Sequence, residues 1–145
     1  MTPHFSLEEF TQSDTAARLG IDNRLPDEMR ENALKTLEMM ERIRFHIDAP
    51  ISITSGYRCK TLNRAVGSKP GSDHTLAFAV DFRAPKAGTP FQIAASLAPV
   101  IKIIGIGQLI LEFGTWVHVS TKIPDKIINR IITIDKDGTR AGIWQ

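Results

Sequence analysis

Residues 108–120 read QLILEFGTWVHVS. Two alternating apolar runs flank Phe113, Gly114 and Thr115, a short Gly-containing loop, so the segment predicts a β-hairpin. Pairing Glu112 with Trp116 sets Ile110 opposite His118. Val117 and Val119 then face the core, while Trp116, His118 and Ser120 share the other face with Glu112. Glu112 lies diagonal to His118 at roughly 7–8 Å between backbones. From there a carboxylate reaches a water beside a metal held by His118, the position of a general base rather than of a ligand.

The next stretch outward is SDHTLAFAVD, residues 72–81. From Phe78 to Arg83 the residues alternate, with Phe78, Val80 and Phe82 on one face of a strand and Ala79, Asp81 and Arg83 on the other. His74 and Asp81 are seven residues apart, and His118 follows thirty-seven residues after Asp81. Two imidazoles and one carboxylate in this pattern make a three-ligand zinc site whose fourth position stays open to water, the feature that separates a catalytic metal from a structural one. A lone His or Asp is more often a solvated or hydrogen-bonded surface group, so the combination carries the assignment. Of the four histidines, His4 is expected near a loose N-terminus. His46 is expected near a helix end, where an imidazole complements the dipole.

SDHTLAFAVD resembles the SxHxxGxAxD signature of the D-alanyl-D-alanine carboxypeptidase-like zinc peptidases. That family includes bacterial carboxypeptidases, vancomycin-resistance dipeptidases and phage endolysins, and its fold is shared by the hedgehog signalling domain. ITSGYRCKTLNRAVG, residues 53–67, resembles the segment before the signature, and WVHVS resembles the closing ligand strand. The resemblance runs from about Phe5 to Ser120. It implies His74, Asp81 and His118 as ligands of one zinc ion, Arg58 of SGYR near the substrate carbonyl or carboxylate, and Ser72 supporting the site and contacting substrate. It matches the catalytic carboxylate to Glu112, six residues before the last histidine, a spacing that resembles the hedgehog arrangement; several members carry it three before, where this chain has Thr115. Two further positions depart from the pattern. Ala77 replaces the signature glycine, which matters if the position needs a positive φ. Trp116 stands where members often have His or Tyr, and an indole stacks or donates one hydrogen bond but exchanges no proton.

The residue types define the chemistry. Zinc lowers the pKa of its water to about 7, and Glu112 accepts the proton as that water attacks a peptide carbonyl. Arg58 presents a planar cationic fork to an oxyanion or a terminal carboxylate; without the family pattern it would equally be a surface ion pair, as Glu112 would be a solvated strand end. Trp116 is assigned to substrate contact.

Composition bounds the rest. The 145 residues fit one domain, 1–145, with a single hydrophobic core. A net charge of +2 with interspersed signs gives no nucleic-acid surface. Cys59 is the only cysteine, so no intrachain disulfide forms, and a packing role is expected for it. MTPHFSLEEF lacks the basic and apolar regions of a secretory signal, and no apolar run reaches spanning length. The expectation is a protein made in the cytoplasm and released by a holin or carried on a phage particle.

The fold expected is α+β, a small domain with a central antiparallel sheet flanked by helices, as in hedgehog and the D-Ala-D-Ala peptidases. Ser6 and Glu9 form a capping box for a helix from Leu7. Pro26 opens a longer helix to about His46, with Leu34, Leu37, Met40, Ile43 and Ile47 at helical spacing and Met39 and Met40 as core filler. ISIT starts the first strand, Lys60 to Ala65 a short helix, and Thr89 with Pro90 a helix through about Ala98. The turn Lys136, Asp137, Gly138 predicts a terminal hairpin.

Two functions fit. One is a monomeric zinc peptidase cutting the peptide stem of peptidoglycan, at a D-Ala-D-Ala end or an L-Ala-D-Glu type bond. The other is a metal-bearing phage or virion binding or assembly module without turnover, kept open by Ala77, Thr115 and Trp116.

Overall fold

The computed structural model describes residues 1–145. Helices α1 (Leu7–Thr11), α2 (Asp14–Leu19) and α3 (Arg30–Ile47) precede strand β1 (Ser52–Ser55). Helix α4 (Lys60–Ala65), strand β2 (Ala79–Arg83) and helices α5 (Pro90–Leu97) and α6 (Ile101–Ile104) follow. The chain closes with β3 (Gln108–Glu112), β4 (Trp116–Ser120), β5 (Ile131–Asp135) and β6 (Gly138–Ala141). Six strands in one sheet, ordered β1-β2-β4-β3-β5-β6, with helices packed against it make an α+β fold.

Local chemistry sets the helix ends. Ser6 and Glu9 form the anticipated capping box on α1, and Thr89 with Gln92 forms another on α5. Asp27–Met29 make a 3₁₀ turn after Pro26, and α3 proper starts at Arg30. Its inner face buries Ala33, Leu37, Met39, Met40 and Ile43, so both methionines fill the core. His4, far from being loose, is pinned to α3 by Glu41, with Nδ1 2.7 Å from Oε1.

The β3–β4 hairpin has the register read from the sequence, Glu112 opposite Trp116 and Ile110 opposite His118. β2 pairs antiparallel with β4, setting Asp81 opposite His118. Four of the five neighbouring pairs are antiparallel, but β3 and β5 run parallel, so the sheet is mixed. Residues 121–130 pass across the entry to β3 and set β5 down on its far side. Arg130 fastens that passage by donating from Nε to Gly107 O at 3.0 Å and from Nη2 to Ile106 O at 3.1 Å. The core lies beneath one face of the sheet, where Val80, Phe82, Leu109, Leu111, Val117 and Val119 meet α3 and α5. The opposite face is left for Asp81, Glu112 and His118.

Candidate metal centre

β2 and β4 bring Asp81 and His118 side by side because directly opposed residues of an antiparallel pair share a face. His74 arrives from the 3₁₀ turn Asp73–Leu76, which Ser72 caps by accepting from His74 N. His118 Nδ1 lies 2.8 Å and His74 Nε2 3.3 Å from Asp81 Oδ1, and the three donor atoms fall within 4.8 Å of one another. All three side chains are buried. In a tetrahedral zinc site with bonds of about 2.0–2.2 Å, neighbouring donors stand about 3.4 Å apart, so the cluster fits such an ion with small side-chain adjustments. The backbone fixes one tautomer as well. His74 Nδ1 lies 2.7 Å from Gly56 O, so that nitrogen carries the proton and Nε2 turns its lone pair toward the cluster. Gly56 cannot be replaced: a Cβ there would run into the Phe10 carbonyl.

Arg58 is no surface ion pair. Its side chain is partly buried, donating from Nε to Ser55 Oγ at 3.0 Å and from Nη1 to Asn63 Oδ1 at 3.2 Å, with Nη2 3.4 Å from Asp81 Oδ2. Glu112 lies on the same face, with Oε1 3.9 Å from His118 Nδ1. Thr115, three residues before His118, sits in the exposed hairpin loop and donates to Phe113 O, so Glu112 is the carboxylate in reach. Trp116 packs against Phe113, and its Nε1–H is buried on the Glu112 side, where it helps hold that carboxyl down. These groups and Ser72 line a cavity of about 480 Å³.

The electrostatics follow from burial and mutual contact. Burial pushes the Asp81 carboxyl up, but the charge His74 carries when protonated and the hydrogen bonds the two imidazoles then donate outweigh it and hold the group well below the usual carboxylate range. Burial pushes His74 down, toward the neutral form a ligand needs. For His118 burial also acts downward, yet its hydrogen bond to Asp81 and the adjacent carboxylates leave it raised. Glu112 is raised by burial and then by the Asp81 charge, which suits a proton acceptor working near neutral pH.

Asn63, Asn23 and Asp73 support the site and carried too little sequence signal to be singled out. Asn63 orients Arg58. Asn23 ties the SGYR segment to α1, donating to Tyr57 O at 2.9 Å and Thr11 O at 2.8 Å while accepting from Cys59 N at 2.7 Å. Asp73 accepts from Ser120 Oγ at 2.7 Å, joining the His74 turn to β4. Cys59 caps α4, with Sγ accepting from Leu62 N. Ala77 adopts φ 63°, the left-handed conformation for which its position would favour glycine.

No helix is long and apolar enough to cross a membrane. The family model described as Peptidase M15 matches residues 3–120, a span that ends with β4 and contains every residue of the cluster. No curated protein matches the chain.

Proposed function

The chain belongs to the Peptidase M15 family and is a metallopeptidase; from that premise we propose that it hydrolyses the peptide stem of peptidoglycan, with His74, Asp81 and His118 holding one zinc ion and Glu112 as general base. The observation that carries this reading is the Glu112 carboxylate 3.9 Å from His118 Nδ1, on the same cavity wall as the three donors.

When bound, zinc acts as a Lewis acid, bringing the pKa of water toward about 7 and polarising the scissile carbonyl. Glu112, half-buried and raised in pKa by that burial, takes the proton from water as the water oxygen attacks the carbonyl carbon. It then delivers that proton to the departing amine nitrogen, so the C–N bond breaks and Glu112 ends as it began. Arg58 brings a fixed positive charge whose direction is set by Ser55 and Asn63, and it favours negative charge developing over the Asp81 side of the cavity. Trp116, packed against Phe113 on the same cavity wall, gives substrate an apolar indole face beside Glu112. Ser72 keeps its hydroxyl proton free for substrate while its oxygen holds the His74 turn.

Digestion of purified muropeptides, with and without chelator and then with Glu112→Gln, tests the reading. Cleavage should stop with chelator, return with zinc, and fall by roughly 10²–10⁴-fold in the variant. Intact muropeptides alongside tightly held zinc would instead favour a binding or assembly module.

A further inference from the structure

The metal cluster does not lie at the end of a pocket. Three adjoining hollows follow the strand order across one face of the sheet. The first, about 410 Å³, lies over β1 and β2 between Thr54, Thr15 and Arg58. The second is the central cavity of about 480 Å³, which shares Arg58, Asp81 and Trp116 with the first. The third, about 920 Å³, shares Glu112, Phe113 and His118 with the second and continues past Ile110 over β5 and β6 to Ile134 and Thr139. Register places all of these on one face: Ser55 is opposite Asp81, Asp81 opposite His118, His118 opposite Ile110, Ile110 beside Ile132, and Ile134 opposite Thr139. At about 4.8 Å between strands, six strands span about 24 Å, the length of roughly seven extended residues. Asp81 and His118 sit on the second and third strands of that order, so a peptide lying in the groove has chain on both sides of its scissile bond.

Neither arm is finished as a terminus site. A chain-end carboxylate buried in a cleft needs a committed cation. Arg58, the cation of the smaller arm, is engaged by Ser55, Asn63 and Asp81, and Asp14 adds a negative charge there. Lys69 and Lys122 in the larger arm are exposed and interspersed with Asp73 and Asp125. We infer that this chain is an endopeptidase: it seats an extended peptide across the strands and cuts an internal bond rather than trimming a terminal residue. The inference rests on the peptidase reading above.

The test offers zinc-loaded protein a synthetic stem pentapeptide as the free acid and as its C-terminal amide, with products read by mass spectrometry. An internal cut is expected, with kcat/KM for the two forms within about threefold, where a site built on a terminal carboxylate would lose at least about a hundredfold on amidation. Release of the last residue alone, abolished by amidation, overturns the inference and leaves the peptidase reading standing. No cleavage of either form by zinc-loaded protein overturns both. Filling the arms gives a second measure: Thr15→Trp and Thr139→Trp, at opposite ends, should each lower kcat/KM for the pentapeptide about tenfold or more, with the zinc-induced rise in melting temperature showing that each variant folds and loads. Undiminished turnover in both variants overturns the inference.

Discussion

Along β2 and β4 the same ten residues build two environments a strand's thickness apart. On one face Val80, Phe82, Val117 and Val119 are completely buried in the apolar core, each contributing about 1.5–3 kcal/mol through area removed from water. On the other, Asp81 and His118 are nearly as inaccessible, at 6% and 7% exposure, yet their burial costs on the order of several kcal/mol per charge and is offset by mutual contact and by Arg58. The two-residue side-chain period thus assigns stability to one face and reactivity to the other. Helices α3 and α5 cover the first; the groove opens over the second.

Neighbouring substitutions on β2 should separate the two roles. Phe82→Ala is expected to destabilise the protein by about 3–5 kcal/mol, measured by urea unfolding, with turnover per folded molecule preserved. A comparable loss of turnover at full folding would show that the faces are not independent. On the reactive side, Arg58→Ala should cost about 3 kcal/mol in chelated protein, because it removes the permanent cation beside the buried Asp81 carboxylate. Bound zinc compensates that carboxylate, so the penalty should shrink in loaded protein. An equal penalty in both forms would mean that Arg58 acts through Ser55 and Asn63 packing alone.

Zinc itself gives the next effect down. At free zinc about a hundred times Kd, the wild type should gain about 2.7 kcal/mol, read as a rise in melting temperature, and Asp81→Asn should show little or none. The same variant reports on acid. Asp81 has a folded pKa held below its unfolded value, so its contribution is complete above about pH 4 and is lost as pH falls from there toward the folded pKa. Chelated wild type should therefore lose stability on acidification more steeply than chelated Asp81→Asn. Parallel stability curves below about pH 4 would remove Asp81 from the balance.

How far each face could be read from sequence follows from the range of the forces involved. The hairpin register came from alternation and one Gly-containing loop, both local, and Glu112, Trp116 and His118 fall as that register requires. The Ser6–Glu9 capping box and the helix Lys60–Ala65 were legible for the same reason. The parallel pairing of β3 with β5 was not, because it is made by residues about twenty apart across an irregular passage held by Arg130 and by Gln108 donating to Asn129 O. Helix α2, though capped by Ser13 and ended by Gly20 in the left-handed region, is six residues long and gives too short a periodic signal to read. SGYR pointed to Arg58 without revealing what orients its guanidinium, since Ser55, Asn63 and Asp81 converge only in the folded chain.

The smallest effect tests the junction between the two faces. Ala77 ends the His74 turn and leads into β2, and its left-handed φ of 63° is sustained from α3, where Thr36 Oγ1 donates to Ala77 O at 2.8 Å and Asn32 Nδ2 to Leu76 O at 3.1 Å. An alanine there carries a strain of about 1–2 kcal/mol that glycine would relieve. Against that gain stand a buried methyl, about 0.8 kcal/mol, and the greater entropy glycine gives the unfolded chain. Ala77→Gly should thus change stability by less than about 1 kcal/mol, visible as at most a small shift in the urea midpoint, while zinc affinity stays constant because His74 remains anchored by Gly56 and Ser72. A fall in stability of more than about 1 kcal/mol would mean that the methyl's packing outweighs the backbone strain. The turn that presents His74 would then belong energetically to the core face.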